Sequence, residues 1–277
     1  MKRMRNLRKT VAAAVVATAA LVGGSIAYRA IAAEAKKVMS KTDPRYEVHD
    51  MKRPRPAVIT PGTESTQAEA GKAPSDALVL FDGKDLSHWE AEGGGGDAPF
   101  NLKTGYMEAA KKGMQTKDKF GDIQLHAEWS EPEDIKGESQ GRGNSGFYIM
   151  GRYEVQVLDS FKNDTYADGQ AAALYGQYPP LVNATRPPGE WNVYDVIFHR
   201  PHFDESGKVT QPATVTVIHN GVLVQDHSEL KGATGHHQAG DYAKHPDREP
   251  LHLQFHGNPV RFRNIWVRDL EKSEKQS

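Results

Sequence analysis

The sequence predicts an all-β fold, built as an antiparallel two-sheet sandwich or jelly roll. From about residue 77 onward, short segments alternate apolar and polar residues, which is the pattern of strands with one buried face. Turns rich in Gly, Pro, Asn and Asp separate these segments. No window of this region carries a sustained apolar stripe of helical period. Many short strands joined by such turns are typical of sandwiches and jelly rolls.

The expected strands follow one another along this region. Asn220-Gly221 is a strong signal for a two-residue hairpin turn, and apolar segments flank it on both sides. The expected strands cover residues 77–81, 123–129, 146–150, 153–157, 191–198, 213–218, 222–224, 251–255 and 260–267.

Composition divides the chain into a signal peptide or N-terminal anchor over 1–33, a flexible linker over 34–75, a domain over 76–272 and a tail over 273–277. The first part runs from basic residues through an apolar stretch to small residues, which is the order of a secretory signal. The apolar stretch is short and rich in Ala and Gly, so cleavage is favoured over a retained anchor. The linker has five prolines and few large apolar residues. We expect the domain to be exported, to the periplasm or the extracellular space.

Charge and cysteine content exclude several classes of function. The chain has no Cys, which excludes disulfides, thiolate metal sites and a thiol nucleophile. Removing the six basic residues of 1–33 leaves 29 Lys and Arg against 36 Asp and Glu, a net charge of about −7. An acidic domain of this kind is a poor fit to nucleic acid, whose binding depends on neutralising phosphates.

Two of the expected strands carry polar residues on one face. In a strand, side chains alternate between the two faces of the sheet. Glu154 and Gln156 would therefore share a face opposite the core, and so would His252, Gln254 and His256. Acid, amide and imidazole groups projected from a rigid sheet predict a site for a polar ligand.

Other motifs carry weaker signals. The run Gly93 to Gly96 is not followed by a helix start or a Lys-Ser/Thr pair, which favours a loop over a phosphate cradle. His236, His237 and His245 could hold a metal, but their loose spacing favours a solvated loop.

A set of motifs in order along the chain resembles a known family. They are Leu80-Phe81-Asp82-Gly83-Lys84-Asp85-Leu86 with Trp89, Arg142-Gly143-Asn144-Ser145-Gly146-Phe147-Tyr148, Tyr153-Glu154-Val155-Gln156-Val157-Leu158-Asp159-Ser160, Gly189-Glu190-Trp191-Asn192, and Leu253-Gln254-Phe255-His256-Gly257 leading into Val260-Arg261-Phe262-Arg263-Asn264-Ile265. Over nearly all of residues 78–270 the chain is similar to the 3-keto-disaccharide hydrolases, once catalogued as domain of unknown function 1080. The resemblance implies a fold of the concanavalin A-like lectin and glucanase type, with the ligand on a concave sheet face. It departs from the family at Phe255, a position where an acid is common.

The implied substrate defines the chemistry that the site needs. A ketone at C3 of a glucoside acidifies the hydrogen on C2, so a base can remove that proton and the C1–O bond then breaks. Water added afterwards gives net hydrolysis. This route needs a base with a pKa near neutrality and a positive or hydrogen-bonding group at the C3 oxygen. Either Glu154 or His256 is expected to be the base, with the other as its partner or as a metal ligand.

The remaining candidates are assigned to substrate binding. Asn144, Gln156 and Gln254 are expected to hold sugar hydroxyls, and Arg261 or Arg263 could stabilise the enolate. Tyr148 and His252 are further candidates for contact with the substrate. A divalent cation could replace the arginines, with Glu154 and His256 as candidate ligands.

Two alternatives remain open. A direct hydrolase needs two carboxylates in one cleft, but Glu154 and Asp159 have an odd spacing and face opposite sides of a regular strand, so another acid such as Asp195 would have to serve. The domain could instead be a non-catalytic, lectin-like module that binds carbohydrate. Because no dinucleotide fingerprint is present, a separate oxidoreductase could be the partner that makes the 3-keto sugar.

Overall fold

The computed structural model describes residues 38–238 and 240–271, and within them the chain forms fifteen strands and two short 3-10 turns. The strands are β1 (Leu78–Phe81), β2 (Trp89–Ala91), β3 (Asn101–Lys103), β4 (Tyr106–Glu108), β5 (Met114–Phe120), β6 (Ile123–Ser130), β7 (Ser145–Ile149), β8 (Tyr153–Val157), β9 (Asn192–His199), β10 (His202–Phe203), β11 (Val209–Gln211), β12 (Thr214–His219), β13 (Val222–Glu229), β14 (Glu249–Leu253) and β15 (Arg261–Asp269); the turns are Ser139–Gly141 and Ala167–Gly169.

The strands pair antiparallel into two main sheets. An eight-stranded sheet has the order β13-β12-β9-β6-β15-β4-β3, with β1 also paired to β15. A five-stranded sheet has the order β2-β5-β14-β7-β8. β10 and β11 form a small separate ribbon.

The two main sheets pack face to face around one apolar core. Phe147 of β7 meets Phe262 of β15 edge-on, with ring centroids 5.5 Å apart. Tyr153 of β8 lies against Phe198 of β9 at 5.4 Å. Aromatic pairs of this kind add about 0.5–1.5 kcal/mol each to the stabilisation from burial. The antiparallel two-sheet sandwich predicted from the sequence is therefore confirmed.

Most of the predicted strands are present, with shifts at their ends. Asn220 and Gly221 both have positive φ, 52° and 81°, as the predicted two-residue hairpin between β12 and β13 requires. β5 was not predicted, because its sequence Met-Gln-Thr-Lys-Asp-Lys-Phe has few apolar residues. β14 ends at Leu253, so His256 lies in the loop that follows and not on the strand.

The end of the expected linker contacts the outer face of the eight-stranded sheet. The hydroxyl of Ser65 donates to the buried carboxylate of Glu128. Arg263 donates to the carbonyl of Thr66 at 2.5 Å. The side chain of Gln67 exchanges hydrogen bonds with the backbone of Trp191 at 2.7 and 2.9 Å. Over these residues the stretch expected to be a free linker is held on the sheet by side-chain contacts that composition does not reveal.

The chain divides into two units, Met1–Pro56 and Ala57–Ser277. In the first, the described residues 38–56 include an antiparallel bridge between Met39 and Glu47. The expected signal peptide over 1–33 and the tail over 273–277 lie outside the described residues. Within the described residues, no helix has the length and apolar character needed to cross a membrane.

Candidate active site

Alternation along β8 separates its side chains onto two faces. Tyr153, Val155 and Val157 point into the core. Glu154 and Gln156 point to the outer face of the five-stranded sheet, away from the other sheet. This is the division that strand geometry predicts from the sequence.

The neighbouring strands add polar groups to the same face. β7 pairs with β8 so that Tyr148 lies opposite Glu154 and Gly146 lies opposite Gln156. On the other side of β7, the backbone N–H of Gln254 donates to the carbonyl of Gly146 at 3.0 Å. Three segments that are distant in sequence therefore present adjacent polar side chains on one sheet face.

Glu154 is the ionisable group at the bottom of this site. The residue is only 3% exposed. Burial raises the pKa of its carboxyl to about 7, although a hydrogen bond from the hydroxyl of Tyr148 lowers it. Burial also raises the pKa of Tyr148, so its hydroxyl stays protonated at neutral pH. A carboxyl that titrates near neutrality is suited to accept a proton from a weakly acidic carbon.

The position of Glu154 is fixed from two sides. A side chain at position 146 would overlap Oε1 of Glu154, so Gly146 leaves the space that the carboxyl occupies. On the other side, the backbone N–H of Glu154 donates to Oγ1 of Thr234 at 2.9 Å. Thr234 itself donates to the carbonyl of Arg152 through both its N–H and its hydroxyl. The carboxyl is therefore held between Gly146 and the loop that contains Thr234.

A chain of amides runs from Glu154 toward the cavity wall. With its nitrogen turned toward Glu154, Gln156 donates to Oε1 at 3.0 Å and to the carbonyl of Ser145 at 2.8 Å. With its nitrogen turned away, Gln156 donates to Oε1 of Gln140 at 3.0 Å. The first orientation stabilises the carboxylate, because a donor to an ionised oxygen makes a strong hydrogen bond. The second leaves the Gln156 oxygen as an acceptor for a protonated carboxyl. Asn144 continues the chain by donating to the carbonyl of Gln140 at 2.7 Å.

These side chains line a cavity of about 440 Å³ on the outer face of the five-stranded sheet. A volume of this size lies within the range of small-molecule sites, about 300–1,000 Å³. Its lining residues are Gln140, Asn144, Tyr148, Glu154, Gln156, Tyr166, Tyr175, Gly235, His236, Gln254 and His256.

The cavity brings together six of the nine site residues expected from the sequence: Asn144, Tyr148, Glu154, Gln156, Gln254 and His256. Gln254 donates to the hydroxyl of Tyr148 at 3.1 Å, which connects the loop after β14 to the partner of Glu154. His256 is exposed at the rim. Glu154 and His256 therefore share one cavity, with the carboxyl at its base and the imidazole at its opening.

His252 was expected to share this site but is absent from the cavity lining. It pairs with Tyr148 across β14 and β7, on the side away from Glu154. Its ring lies over Gly151, and Nδ1 is 3.7 Å from Glu92. Burial lowers the pKa of His252. Strand periodicity placed it on the correct face, but the width of the sheet separates it from the cavity.

The expectation that Arg261 or Arg263 stabilises an enolate is wrong for this cavity. Both lie on β15 of the other sheet, and Phe262 between them points into the core, so they face the outer side of the eight-stranded sheet. Arg263 donates to Glu128 at 2.6 Å and stacks 4.3 Å above Trp191. Arg261 lies 5.6 Å from the ring centre of Tyr106. Their side chains are on the opposite side of the sandwich from Glu154.

The acids considered for a two-carboxylate mechanism also lie elsewhere. Asp195 is on the outer face of the eight-stranded sheet and bonds Nδ1 of His126 at 2.7 Å. Asp159 pairs with Arg142 at 2.5 Å and lines a different cavity of about 420 Å³. Among the described residues that line the first cavity, Glu154 is the one carboxyl group.

Five lining residues were not expected from the sequence as ligands of this site: Gln140, Tyr166, Tyr175, Gly235 and His236. All lie in loops or 3-10 turns, where no periodicity indicates the direction of a side chain. The segment before Gly189 is rich in Tyr and Pro, and its tyrosines were the available signal.

The described residues contain no group of three or more His, Cys, Asp or Glu side chains placed to hold a metal ion. The hydroxyl of Tyr153 bonds His245 at 2.8 Å, and the rings of His236 and His237 lie next to each other, with His236 alone of the two on the cavity lining. Glu154 and His256 alone would be an incomplete set of ligands, and the remaining polar side chains of the cavity are amides, phenols and the imidazole of His236.

Residues 76–268 match the family described as the 3-keto-alpha-glucoside-1,2-lyase-like domain. The chain belongs to this family. A crystal structure of a candidate glycosyl hydrolase from Parabacteroides distasonis ATCC 8503 is 48% identical, with a TM-score of 0.76, over 80% of this chain and 94% of that one. Crystal structures of two further candidate glycosyl hydrolases from the same strain also align with this chain. One is 21% identical, with a TM-score of 0.50, over 70% of this chain and 94% of that one; the other is 19% identical, with a TM-score of 0.51, over 70% of this chain and 98% of that one. These two support the fold alone. No curated protein matches the chain.

Proposed function

We propose that this member of the 3-keto-alpha-glucoside-1,2-lyase-like family is an exported hydrolase of 3-keto-glucosides and 3-keto-disaccharides. One observation carries the proposal: the described residues that line the cavity contain one carboxyl group, that of Glu154, and burial raises its pKa to about 7. This favours removal of a carbon-bound proton over a mechanism that requires two acids.

The proposed reaction starts with proton transfer to Glu154. The carboxylate takes the hydrogen on C2, and the electron pair of that bond forms an enolate with the C3 carbonyl. The electrons then return to form a C1=C2 double bond as the C1–O bond breaks. The leaving oxygen keeps that bonding pair and gains a proton. Water adds across C1=C2, with hydroxyl at C1 and hydrogen at C2, so the net result is hydrolysis.

The number of carboxyl groups distinguishes this route from direct hydrolysis. Direct glycoside hydrolysis uses a pair of acids that flank the bond, about 5–9.5 Å apart. The described lining of the cavity supplies one, Glu154. Elimination needs one base, a group that stabilises the enolate and a proton for the leaving oxygen.

Neutral donors around Glu154 are suited to the other two roles. The amides of Gln156 and Gln254 can donate to the C3 oxygen, where negative charge develops. His256, at the exposed rim of the same cavity, would supply a proton to the leaving oxygen. The hydroxyl of Tyr148 holds Glu154 in position and remains a donor, because burial raises its pKa.

Export and a partner enzyme complete the proposal. The order of basic, apolar and small residues over 1–33 supports export to the periplasm or beyond. A separate oxidoreductase would supply the 3-keto sugar, because the sequence has no dinucleotide fingerprint.

The test uses the purified protein with 4-nitrophenyl 3-keto-α-glucoside and, as a control substrate, the same glucoside without the ketone. Release of nitrophenol from the keto substrate alone, slowed by deuterium at C2, is the expected result. Glu154→Gln should lower kcat by at least about 100-fold, the scale of a lost general base, and His256→Ala should lower it less. Glu90→Gln, a carboxyl on β2 outside the cavity lining, is the matched control and should leave turnover unchanged. Equal turnover of both substrates, or binding without turnover, would refute the proposal; the second outcome would favour a lectin-like module.

A further inference from the structure

A second cavity opens beside the first. It also measures about 440 Å³. Tyr166, Tyr175 and His236 line both cavities, so the two form neighbouring parts of one groove. Asp168 and His237 line the second part only. The groove is therefore longer than a single sugar at Glu154 requires.

Two tyrosines form the boundary between the two parts. The hydroxyls of Tyr166 and Tyr175 are 2.6 Å apart, and their rings are inclined at 61° with centroids 6.3 Å apart. The hydrogen bond holds both rings in fixed orientations, although Tyr166 is 42% exposed. An exposed aromatic face with a polar edge suits a ring that has apolar faces and hydroxyls at its rim.

Two histidines add aromatic surface to the same groove. The rings of His236 and His237 lie 4.1 Å apart, and both residues are exposed. Their loop is tied to the neighbouring one: Gly176 has a φ of 72°, and a Cβ there would lie 3.0 Å from the carbonyl oxygen of Gly235. Gln177 donates to the carbonyl of Gly232 at 3.1 Å. These contacts with residues 176 and 177 therefore hold the loop that carries His236 and His237 in place.

The same loop positions the candidate base. Thr234, two residues before His236, accepts the hydrogen bond from the backbone of Glu154. On the opposite loop, the backbone carbonyl of Asp168 accepts a hydrogen bond from the N–H of Gly176 at 2.9 Å, and Asp168 lines the second cavity. A carboxylate accepts hydrogen bonds from hydroxyl groups.

We propose that the second cavity is the subsite for the leaving group, and that it selects a leaving group made of a hydroxylated ring. This inference rests on the proposed function, because Glu154 defines where the 3-keto sugar sits. A ring bound in the second cavity, against its tyrosines and histidines, would lie next to the C1–O bond of the 3-keto sugar that breaks. A second sugar and a phenolic ring share the required chemistry, which is an apolar face with hydroxyls at the edge.

The experiment compares three 3-keto-α-glucosides that differ only in the leaving group: methanol, a phenol with a second hydroxyl, and glucose. The variants are His237→Ala and Asp168→Asn, which alter the second cavity alone, and His227→Ala, an exposed histidine on β13, is the matched control. For each substrate, kcat/KM of the variant is divided by that of the wild type, which removes differences in leaving-group acidity. His237→Ala should lower this ratio about three- to tenfold for a ring leaving group, the scale of one aromatic contact. The methyl substrate should change less than about twofold, because it does not reach the second cavity.

The outcomes separate the two proposals. Selective loss with the glucose substrate identifies a saccharide as the leaving group, and selective loss with the phenol identifies a phenolic glycoside; either supports the subsite. Equal effects on all three substrates, or no effect on any, overturn the subsite while turnover of the methyl substrate still supports the proposed function. Failure of the wild type to turn over any of the three refutes the proposed function itself.

Discussion

Replacing Glu154 by Gln should remove activity and stabilise the fold, and the stabilisation should depend on pH. Burial raises the pKa of the Glu154 carboxyl from its usual 4.5 to about 7. A raised pKa means that the folded state favours the neutral acid. Stability from this group is therefore fully present below about pH 4.5 and is lost as pH rises through about 7.

The magnitude follows from the size of the shift. Each pKa unit corresponds to about 1.36 kcal/mol between the two protonation states. A shift from 4.5 to about 7 therefore costs the ionised wild type about 3 kcal/mol at pH 8, and less than about 1 kcal/mol at pH 5. The amide introduced by Glu154→Gln carries no charge, and its nitrogen can donate to the Gln156 oxygen 3.0 Å away. The variant avoids most of the cost at pH 8.

Urea denaturation of both proteins at pH 5 and pH 8 measures this difference. The variant should be more stable by about 3 kcal/mol at pH 8 and by less than about 1 kcal/mol at pH 5. Subtracting the wild type at each pH cancels the other titrating groups that the two proteins share. A difference that is the same at both pH values, or that favours the wild type at pH 8, would show that Glu154 is not a buried acid with a raised pKa.

The raised pKa also predicts how activity depends on pH. The kcat/KM of the wild type should rise with pH through about 7, because the Glu154 base must be ionised.

Three further predictions test the surroundings of the site. In Gly146→Ala, the added methyl group should displace the Glu154 carboxyl. We expect kcat/KM to fall by at least about 100-fold, as on loss of the base, and the fold to be destabilised by about 1–3 kcal/mol. Full activity in steady-state assays would contradict this geometry. Arg263→Met should destabilise the fold by about 1–3 kcal/mol, because the buried carboxylate of Glu128 loses its guanidinium partner but keeps its hydrogen bonds with Ser65, His126 and Asn264. The kcat/KM of the folded protein should stay within about twofold, and a selective loss of turnover would restore a catalytic role for Arg263. Burial lowers the pKa of His126, but its hydrogen bonds with Asp195 and Glu128 outweigh burial and raise that pKa to about 9. The protonated His126 therefore stabilises the fold fully below about pH 6.5, and this stabilisation is lost as pH rises through about 9. Asp195→Asn should therefore flatten the loss of stability between pH 7 and 10, by up to about 2 kcal/mol, and an unchanged pH profile in thermal unfolding would contradict it.

Local periodicity was enough to place individual side chains on a face. Because neighbouring residues of a strand point in opposite directions, Glu154 and Gln156 had to lie on the face opposite Val155. The same rule placed His252 of β14, and Gln254 just after the strand ends at Leu253, on one face. The hairpin at Asn220-Gly221 could be predicted for a related reason, since its two positive φ angles are favoured by those residues.

Periodicity could not say which strands become neighbours. The pairing of β7 with both β8 and β14 brings Glu154 and Gln254 together, although 99 residues separate them in sequence. The sheet to which a strand belongs is likewise set by long-range pairing, and this is why Arg261 and Arg263 were assigned to the wrong side of the sandwich. Loops escape the rule altogether, so Tyr166, with no strand to direct it, was not expected at the site.

The sequence by itself determined the class of fold, the polar face of each strand and the motifs by which the family is known, because all of these depend on residues that are near each other along the chain. Only the tertiary structure decided that Glu154 is buried, that its cavity contains one carboxyl in the described residues and that a second cavity adjoins it. Burial, pKa and cavity shape depend on which distant segments pack together, and that packing is a property of the whole fold.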